Sequence, residues 1–306
     1  MKVEILNPDT LRDLYKNHGQ FACICYDTPE EYAERVGKNC QESGHVSGSR
    51  CEYIKFRVSD IDRGTAEQCL RHEIGTFVPF EFQDNYSFSD YMEIVDDVSP
   101  DQIVKNMASF RYIDKDGFEW ATPANIARIP EAKGLYDSMM KAINYSRRSI
   151  KEILERNGVD PRKATEDANM MLPRATTSSF VIGMTPEALL RWCQHRLCTR
   201  AQEFIRELAR LIVAEIKQVN PEFASECVPK CKHLLWCPEG KHSCGAAPTK
   251  DELRDMLKRV ADKPIEDLSR AASVSVEENK PVTKKVDAVN ERTSFLQTPT
   301  PCTSCI

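Results

Sequence analysis

Apolar residues in the second half of the chain recur at helical spacing, and this pattern constrains the fold most. Asn157-Gly158 ends a first predicted helix, whose apolar residues are Leu135, Met139, Ile143, Ile150 and Leu154. Asp160-Pro161 then caps and starts a shorter helix. Thr185-Pro186-Glu187 predicts the start of the longest helix, which Asn220-Pro221 closes.

Strand patterns occur in the first half of the chain. A first strand is predicted at residues 2–6. At residues 51–58 apolar and polar residues alternate, as in a half-buried strand: Ile54, Phe56 and Val58 against Tyr53, Lys55 and Arg57. A helix is predicted to follow from about Asp62 to His72, and strand-like segments are predicted within residues 105–120.

The composition argues against several classes of protein. The 42 basic and 47 acidic residues leave a formal charge of −5, so the chain lacks the basic footprint of a nucleic-acid-binding protein. A run of about 18 apolar residues, as a membrane span requires, does not occur. The segment MKVEILNPDT lacks the apolar core of a signal peptide, which predicts a cytoplasmic protein with mostly reduced cysteines.

A cluster of small polar residues and one arginine lies in the run KNMASFRYIDKDGFEW, residues 105–120. Asn106, Ser109, Arg111 and Tyr112 fall within seven positions. A guanidinium with a hydroxyl close by favours a site for an anion such as phosphate over a packed core.

Two further positions are candidates for chemistry. Gln68, Arg71 and His72 fall on one turn near a helix end, where they could hold an anionic or electron-rich ring; a solvated basic turn is the alternative. Arg196 shares a helix face with Trp192, so its charge needs an anion or acceptor. An internal salt bridge is the alternative for Arg196.

A cysteine-rich segment, residues 227–245, has the spacing C-x3-C-x-H-x3-C-x4-H-x-C. Its cysteines could close a structural zinc site or remain free thiols. The four candidate ligands are Cys227, Cys231, Cys237 and Cys244. Neither a P-loop nor a Rossmann glycine fingerprint occurs in the chain.

Together these segments resemble the flavin-dependent thymidylate synthase family, whose signature is R-H-R-x-x-S-x-N-x-x-S-x-R. Here the signature looks split into Arg71-His72-Glu73 and Asn106-x-x-Ser109-x-Arg111-Tyr112, separated by an insertion at about residues 76–103. The segments MLPRATTSSF and HRLCTRAQEFIREL also match the order of the family. The resemblance covers about residues 1–245.

The resemblance implies a role for each candidate residue. Ser109 and Arg111 would hold the 5′-phosphate of a uridine nucleotide, with Gln68 nearby, and Arg196 would lie against the pyrimidine ring. Ser109 and Arg196 are the implied catalytic residues, whereas Arg71, His72 and Gln194 would contact FAD. The implied reaction transfers a one-carbon unit from methylenetetrahydrofolate to C5 of dUMP, with NADPH as reductant.

The chain departs from the family pattern at several polar positions. Asn169 stands where an arginine is usual, although Arg174 lies close enough in sequence to substitute. The other departures are Glu73 for arginine, Met107 for glutamate, Thr185 for asparagine, Cys51 for histidine and Arg50 for glutamate. These changes motivate an alternative, a related flavin-dependent methyl- or hydroxymethyltransferase for another pyrimidine nucleotide. A catalytically silent nucleotide-binding or scaffold protein is a further alternative.

The expected fold is α+β, a small mixed sheet flanked by long helices, in a homotetramer with FAD between subunits as the family implies. The expected domains are a catalytic domain at residues 1–226, the cysteine-rich segment at 227–245, a short helix at 246–262 and a disordered tail at 263–306.

Overall fold

The computed structural model describes residues 1–45, 47–70, 103–111 and 113–261. Nearly all of the predicted insertion and the whole predicted tail lie outside these residues. The chain divides into two compact units, Met1–Pro229 and Lys230–Ile306.

The first unit contains a four-stranded sheet. Its strands are β1 (Lys2–Ile5), β2 (Ile54–Asp62), β3 (Ile103–Met107) and β4 (Thr177–Met184), in the order β1-β2-β4-β3. Every pairing among these strands is antiparallel. The α+β class is confirmed, whereas the expected mixed sheet is replaced by an antiparallel one.

Strand β4 pairs with both β2 and β3, and the chain after β3 carries the candidate site residues Ser109 and Arg111. Its Met184 faces Ile54 of β2 on one side and Ile103 of β3 on the other. The predicted alternation in β2 is confirmed, because its apolar residues are buried and its Lys and Arg residues are exposed. The β2–β4 register shifts between Val58 and Ile61. Strand β4 was not predicted from the sequence, where the segment MLPRATTSSF served only for the family resemblance.

Three helices and two 3-10 turns connect β1 to β2. They are α1 (Pro8–Arg12), α2 (Leu14–Tyr26), the 3-10 turn Glu30–Tyr32, α3 (Ala33–Glu42) and the 3-10 turn Ser47–Cys51. Helices α2 and α3 cross at two glycines, where a Cβ on Gly19 would lie 1.6 Å from the Ala33 carbonyl oxygen. The two helices therefore lie closer together than they could with any larger residue in place of Gly19.

Helices follow β2, β3 and β4 and cover the sheet. Helix α4 (Arg63–Leu70) begins where the sequence predicted a helix, and its described part ends at Leu70. The loop after β3 leads into α5 (Ala124–Ala127), α6 (Pro130–Arg156) and α7 (Pro161–Asn169). The predicted cap of α7 is confirmed, since the Asp160 carboxylate accepts from the backbone N–H groups of Arg162 and Lys163.

The predicted longest helix is instead two helices, α8 (Pro186–Arg196) and α9 (Glu203–Val219). The break has a local cause, because the Gln202 side chain accepts from the N–H groups of Phe204 and Ile205 and so starts a new helix. Helix α6, with 27 residues, is longer than either. A short helix, α10 (Pro221–Glu226), follows Asn220 as its cap.

The core of the first unit lies between the sheet and helices α4, α8 and α9. Each large apolar side chain buried there stabilises the fold by roughly 1.5–3 kcal/mol. Its fully buried members include Ile54, Phe56, Ile61, Ile182, Met184, Leu189, Trp192, Ile205 and Leu208.

The described part of the second unit contains α11 (Lys230–Leu234), the 3-10 turn Gly240–His242 and α12 (Lys250–Ala261). Helix α12 matches the short charged helix predicted there. Within the described ranges, no helix has the length and apolarity needed to cross a membrane.

Candidate active site

Ser109 and Arg111 lie in the loop that follows β3. The N–H of Ala108 donates to the Ser179 carbonyl oxygen at 3.1 Å, which extends the β3–β4 pairing by one residue. The chain then turns, and the N–H of Arg111 donates to the Ser109 hydroxyl oxygen at 3.3 Å. The predicted hydroxyl and guanidinium are therefore carried on one short turn.

The Arg111 guanidinium holds an anion supplied by the protein. Its Nε donates to Oε1 of Glu166 at 2.6 Å and its Nη2 to Oε2 at 3.4 Å, so two nitrogens face one carboxylate. Both side chains reach solvent, with 62% of Arg111 and 38% of Glu166 exposed. A guanidinium presented in this way suits a carboxylate or a phosphate, and a ligand arriving from solvent can reach it.

Two cations flank the aromatic ring between Ser109 and Arg111. The guanidinium carbon of Arg63 lies 4.9 Å from the Phe110 ring centroid, and Nζ of Lys115 lies 5.1 Å from it. Lys115 also donates to the Thr177 carbonyl oxygen at 3.0 Å. Burial lowers the pKa of Lys115, against the charge of a nearby glutamate. Two cations therefore lie close to the ring of the residue between Ser109 and Arg111, one of them, Arg63, paired with Glu67.

Arg196 ends helix α8 and is partly buried. This burial lowers its pKa, while the Cys69 thiol acts in the opposite direction. Burial raises the pKa of Cys69 to about 12, and the charges of Arg196 and Lys105 oppose that rise. Residues from α8, α4 and β3 therefore interact electrostatically in one region, and β3 leads from Lys105 directly to the turn that carries Arg111.

The two predicted glutamines lie on α4 and α8, the helices that carry Cys69 and Arg196. Gln68 precedes Cys69 on α4, and Gln194 lies two residues before Arg196 on α8; both are partly buried. A primary amide both donates and accepts hydrogen bonds, as the roles predicted for Gln68 near the nucleotide and for Gln194 at FAD require. Arg71 and His72, predicted to contact FAD, lie outside the described residues, as does Glu73.

Asn169 is buried, at a position where an arginine is usual in the family. Its side-chain amide contacts Arg147, Phe110 and Ile113, all within the protein. Arg174, the expected substitute, is 72% exposed and pairs with Glu67 at 3.3 Å. Both side chains are therefore held by contacts within the protein.

Other departures from the family pattern have structural roles. Thr185 caps α8, since its hydroxyl oxygen accepts from the Ala188 N–H at 3.2 Å. Arg50 donates to the buried carboxylate of Glu187 at 2.7 Å, and Arg191 donates to the same carboxylate at 2.9 Å. These residues hold the start of α8.

Cys227, Cys231, Cys237 and Cys244, which were predicted to bind zinc, form no disulfide among the described residues. Among the described residues, no three His, Cys, Asp or Glu side chains are grouped so as to hold a metal ion. Cys227 instead shares a hydrogen bond with Cys193, and this bond together with burial raises the pKa of the Cys193 thiol. The zinc site therefore stays a prediction, with no ligand group among the described residues to support it.

A surface cavity of about 440 Å³ lies beside α3, away from the predicted site residues. It is lined by Glu31, Tyr32, Glu34, Arg35, Lys38, Asn39 and Glu42. None of the residues that line it is a predicted site residue.

Several residues around the turn were missed in the sequence. Glu166 lies 55 positions from Arg111, and Arg147 lies 22 positions from Asn169. A pair so far apart leaves no periodic signal, so only the fold brings these side chains together. Lys115 did fall within the quoted run, but its cation beside Phe110 has no spacing signature.

Comparison with known proteins identifies the family. The family model described as thymidylate synthase complementing protein matches residues 12–222. The flavin-dependent thymidylate synthase of Nitratidesulfovibrio vulgaris is 30% identical over 213 residues, which are 69% of this chain and 76% of that protein. The enzyme of the same name from Clostridium tetani is 25% identical over 230 residues, which are 72% of this chain and 80% of that protein.

A solved structure was also matched, the crystal structure of thymidylate synthase X from Helicobacter pylori with FAD and dUMP. The TM-score is 0.48 at 14% identity, covering 74% of this chain and 99% of that one. The resemblance inferred from the split signature is confirmed by the family model and by the N. vulgaris relative. This chain belongs to the thymidylate synthase complementing protein family, the family of the flavin-dependent thymidylate synthases.

Proposed function

We propose that this chain catalyses FAD-dependent transfer of a one-carbon unit from methylenetetrahydrofolate to C5 of dUMP, forming dTMP with NADPH as reductant. The observation that carries the proposal is the Ser109–Arg111 turn in a member of this family. Its guanidinium already binds a carboxylate through two nitrogens and remains open to solvent.

The nucleotide phosphate would replace the Glu166 carboxylate as the anion that the Arg111 guanidinium binds. A phosphate offers more oxygens and more negative charge than a carboxylate, so it gains more from the guanidinium. The Ser109 hydroxyl lies on the same turn and would add a neutral hydrogen bond. Arg63 and Lys115, which both lie close to the Phe110 ring, would add positive charge around the site.

Arg196 would act on the base rather than on the phosphate. Because it is partly buried, its charge is less screened than that of an exposed arginine and can favour the electron-rich form of the pyrimidine. Bound FAD would supply hydride chemistry and take part in the one-carbon transfer. Gln194 and, outside the described residues, Arg71 and His72 would hold it.

A specific observation favours a second candidate, a related methyl- or hydroxymethyltransferase for another pyrimidine nucleotide. The Asn169 side chain is committed to internal hydrogen bonds at the position where the family uses an arginine. The nucleotide pocket of this chain therefore differs from that of the family at a polar contact. Competition between dUMP and dCMP for turnover distinguishes the two candidates.

We further propose that the chain assembles as a homotetramer. Helix α6 carries an exposed apolar stripe, which we call the α6 stripe, beside the helix face that buries Met140 and Arg147. It consists of Leu135, Met139, Ile150 and Ile153, which are 69%, 53%, 38% and 48% exposed. An apolar row on a long helix is typical of a surface that another chain covers.

The first test is the absorbance spectrum of the purified protein with an equilibrium titration of dUMP. The proposal predicts a bound oxidised flavin and saturable dUMP binding. In the Arg111→Ala variant, dUMP affinity should fall by at least about tenfold, since a charged hydrogen bond contributes roughly 1.5–3 kcal/mol, while flavin binding is retained. A colourless protein that takes up no FAD on reconstitution would favour a silent scaffold instead.

A further inference from the structure

A buried arginine supports the turn that carries Arg111, through contacts with Asn169 and Asp114. Arg147 of α6 has no solvent exposure. Its Nε donates to Oδ1 of Asn169 at 3.0 Å, and its Nη2 pairs with the Asp114 carboxylate. A buried guanidinium destabilises the fold unless it is paired. The contacts with Asn169 and Asp114 therefore offset the cost of burying Arg147, and they fix the positions of both partners.

Asn169 connects Arg147 to the backbone on both sides of Arg111. Its Nδ2 donates to the carbonyl oxygen of Phe110 at 2.5 Å and to that of Ile113 at 3.0 Å. A side-chain amide has two N–H donors and one carbonyl oxygen. Both donors contact the loop and the oxygen contacts Arg147, so one side chain fixes the chain on both sides of Arg111.

Asp114 anchors the far end of the same loop. It pairs with Arg147 and accepts from Nζ of Lys151 at 2.5 Å. Burial alone would raise its pKa, but Lys151 and Arg147 outweigh burial and lower it. The carboxylate therefore stays charged at neutral pH, and the loop is tied to α6 by an ionic contact as well as through Asn169.

We propose that Asn169 is a positioning residue for nucleotide binding: with Arg147 and Asp114 it fixes the Ser109–Arg111 turn so that the hydroxyl and guanidinium meet the phosphate together. This inference rests on the proposed function. It assigns a task to a position at which the chain departs from its family, since Asn169 there supports the turn through its two backbone contacts.

The variant Asn169→Asp tests this role because it changes only part of the network. The new carboxylate keeps an acceptor for Arg147, so the buried charge stays paired. It loses both donors to the Phe110 and Ile113 carbonyl oxygens and presents an oxygen to them instead. Arg148→Ala is the matched control, since Arg148 is the next residue on α6, is 51% exposed and pairs only with Asp116 among the contacts described for it.

The readouts are dUMP affinity, KM for dUMP, kcat, FAD affinity and melting temperature. For Asn169→Asp the dissociation constant and KM for dUMP should rise about tenfold, as expected for losing well-oriented charged contacts. The kcat at saturating dUMP and the FAD affinity should stay within about twofold of the parent. Arg148→Ala should match the parent in all of them.

A folded Asn169→Asp variant with unchanged dUMP affinity, or with equal losses for dUMP and FAD, would overturn the inference. If that variant does not fold, Asp114→Asn serves instead, because it keeps an acceptor for Arg147 but removes the charge; it must also raise KM for dUMP. A parent protein that binds neither FAD nor dUMP would refute the proposed function and this inference together.

Discussion

At the scale of single residues, Arg111 binds a carboxylate where the proposed reaction requires a phosphate. Glu166 and the nucleotide would then compete for one guanidinium, and Glu166 would lower the apparent affinity for dUMP. Because this ion pair is largely exposed, its strength is on the order of 1 kcal/mol or less. The competition should therefore be measurable but small.

Replacing Glu166 with glutamine should tighten dUMP binding by roughly two- to fivefold, because the competing charge is removed. Asp167→Asn is the matched control, since it removes the same charge from an exposed position of α7. Calorimetric titration with dUMP compares the two variants with the parent. Weaker dUMP binding by Glu166→Gln would show that Glu166 supports the site instead of competing for it.

The residues of the turn were predictable from the sequence, whereas those that support it were not. Ser109 and Arg111 lie two positions apart, and their chemistry is visible in the run itself. Asn169 lies 59 and 56 positions from the two carbonyl groups it binds. An asparagine that binds backbone oxygens has no sequence signature, so its support of the turn appears only in the fold.

At the scale of elements, the crossing of α2 and α3 depends on glycine. A Cβ on Gly37 would lie 1.8 Å from the Tyr15 carbonyl oxygen, a backbone atom that cannot move without shifting α2. In contrast, a Cβ on Gly134 of α6 would meet nothing within 4 Å. Alanine substitutions at these two glycines therefore separate the effect of helix packing on stability from the effect of helix propensity.

Gly37→Ala should destabilise the protein by about 3 kcal/mol or more, because the helices must separate to admit the methyl group. Gly134→Ala should instead stabilise it by roughly 0.5–1 kcal/mol, the usual gain of alanine over glycine inside a helix. Chemical denaturation of both variants measures these changes. A Gly37→Ala protein as stable as its parent would contradict the close crossing.

Element prediction succeeded where periodicity or a cap is strong. Helix α7 starts at its predicted Asp160 cap, and the alternation of β2 matches its burial. The division between α8 and α9 could not be predicted, because the segment contains neither proline nor glycine and its apolar spacing continues across the break. There the Gln202 side chain competes for backbone N–H groups, a contact that requires coordinates to see.

At the scale of the whole molecule, the α6 stripe is the surface expected to join subunits. Met139→Lys should reduce the assembly from a tetramer to smaller species, because a buried unpaired charge at an interface is costly. Glu152→Lys, which also places a lysine on α6 at an exposed position outside the stripe, should leave the tetramer intact. Analytical ultracentrifugation gives both masses; a parent that sediments as a monomer would refute the tetramer.

The most direct test of the proposed function is the identity of the nucleotide made by the purified, FAD-loaded protein. Supplied with methylenetetrahydrofolate, NADPH and equal dUMP and dCMP, it should convert dUMP to dTMP, as mass spectrometry of the nucleotides will show. Methylation or hydroxymethylation of dCMP with dUMP untouched would contradict the assignment to dUMP. Recovery of both nucleotides unchanged would contradict the enzyme itself.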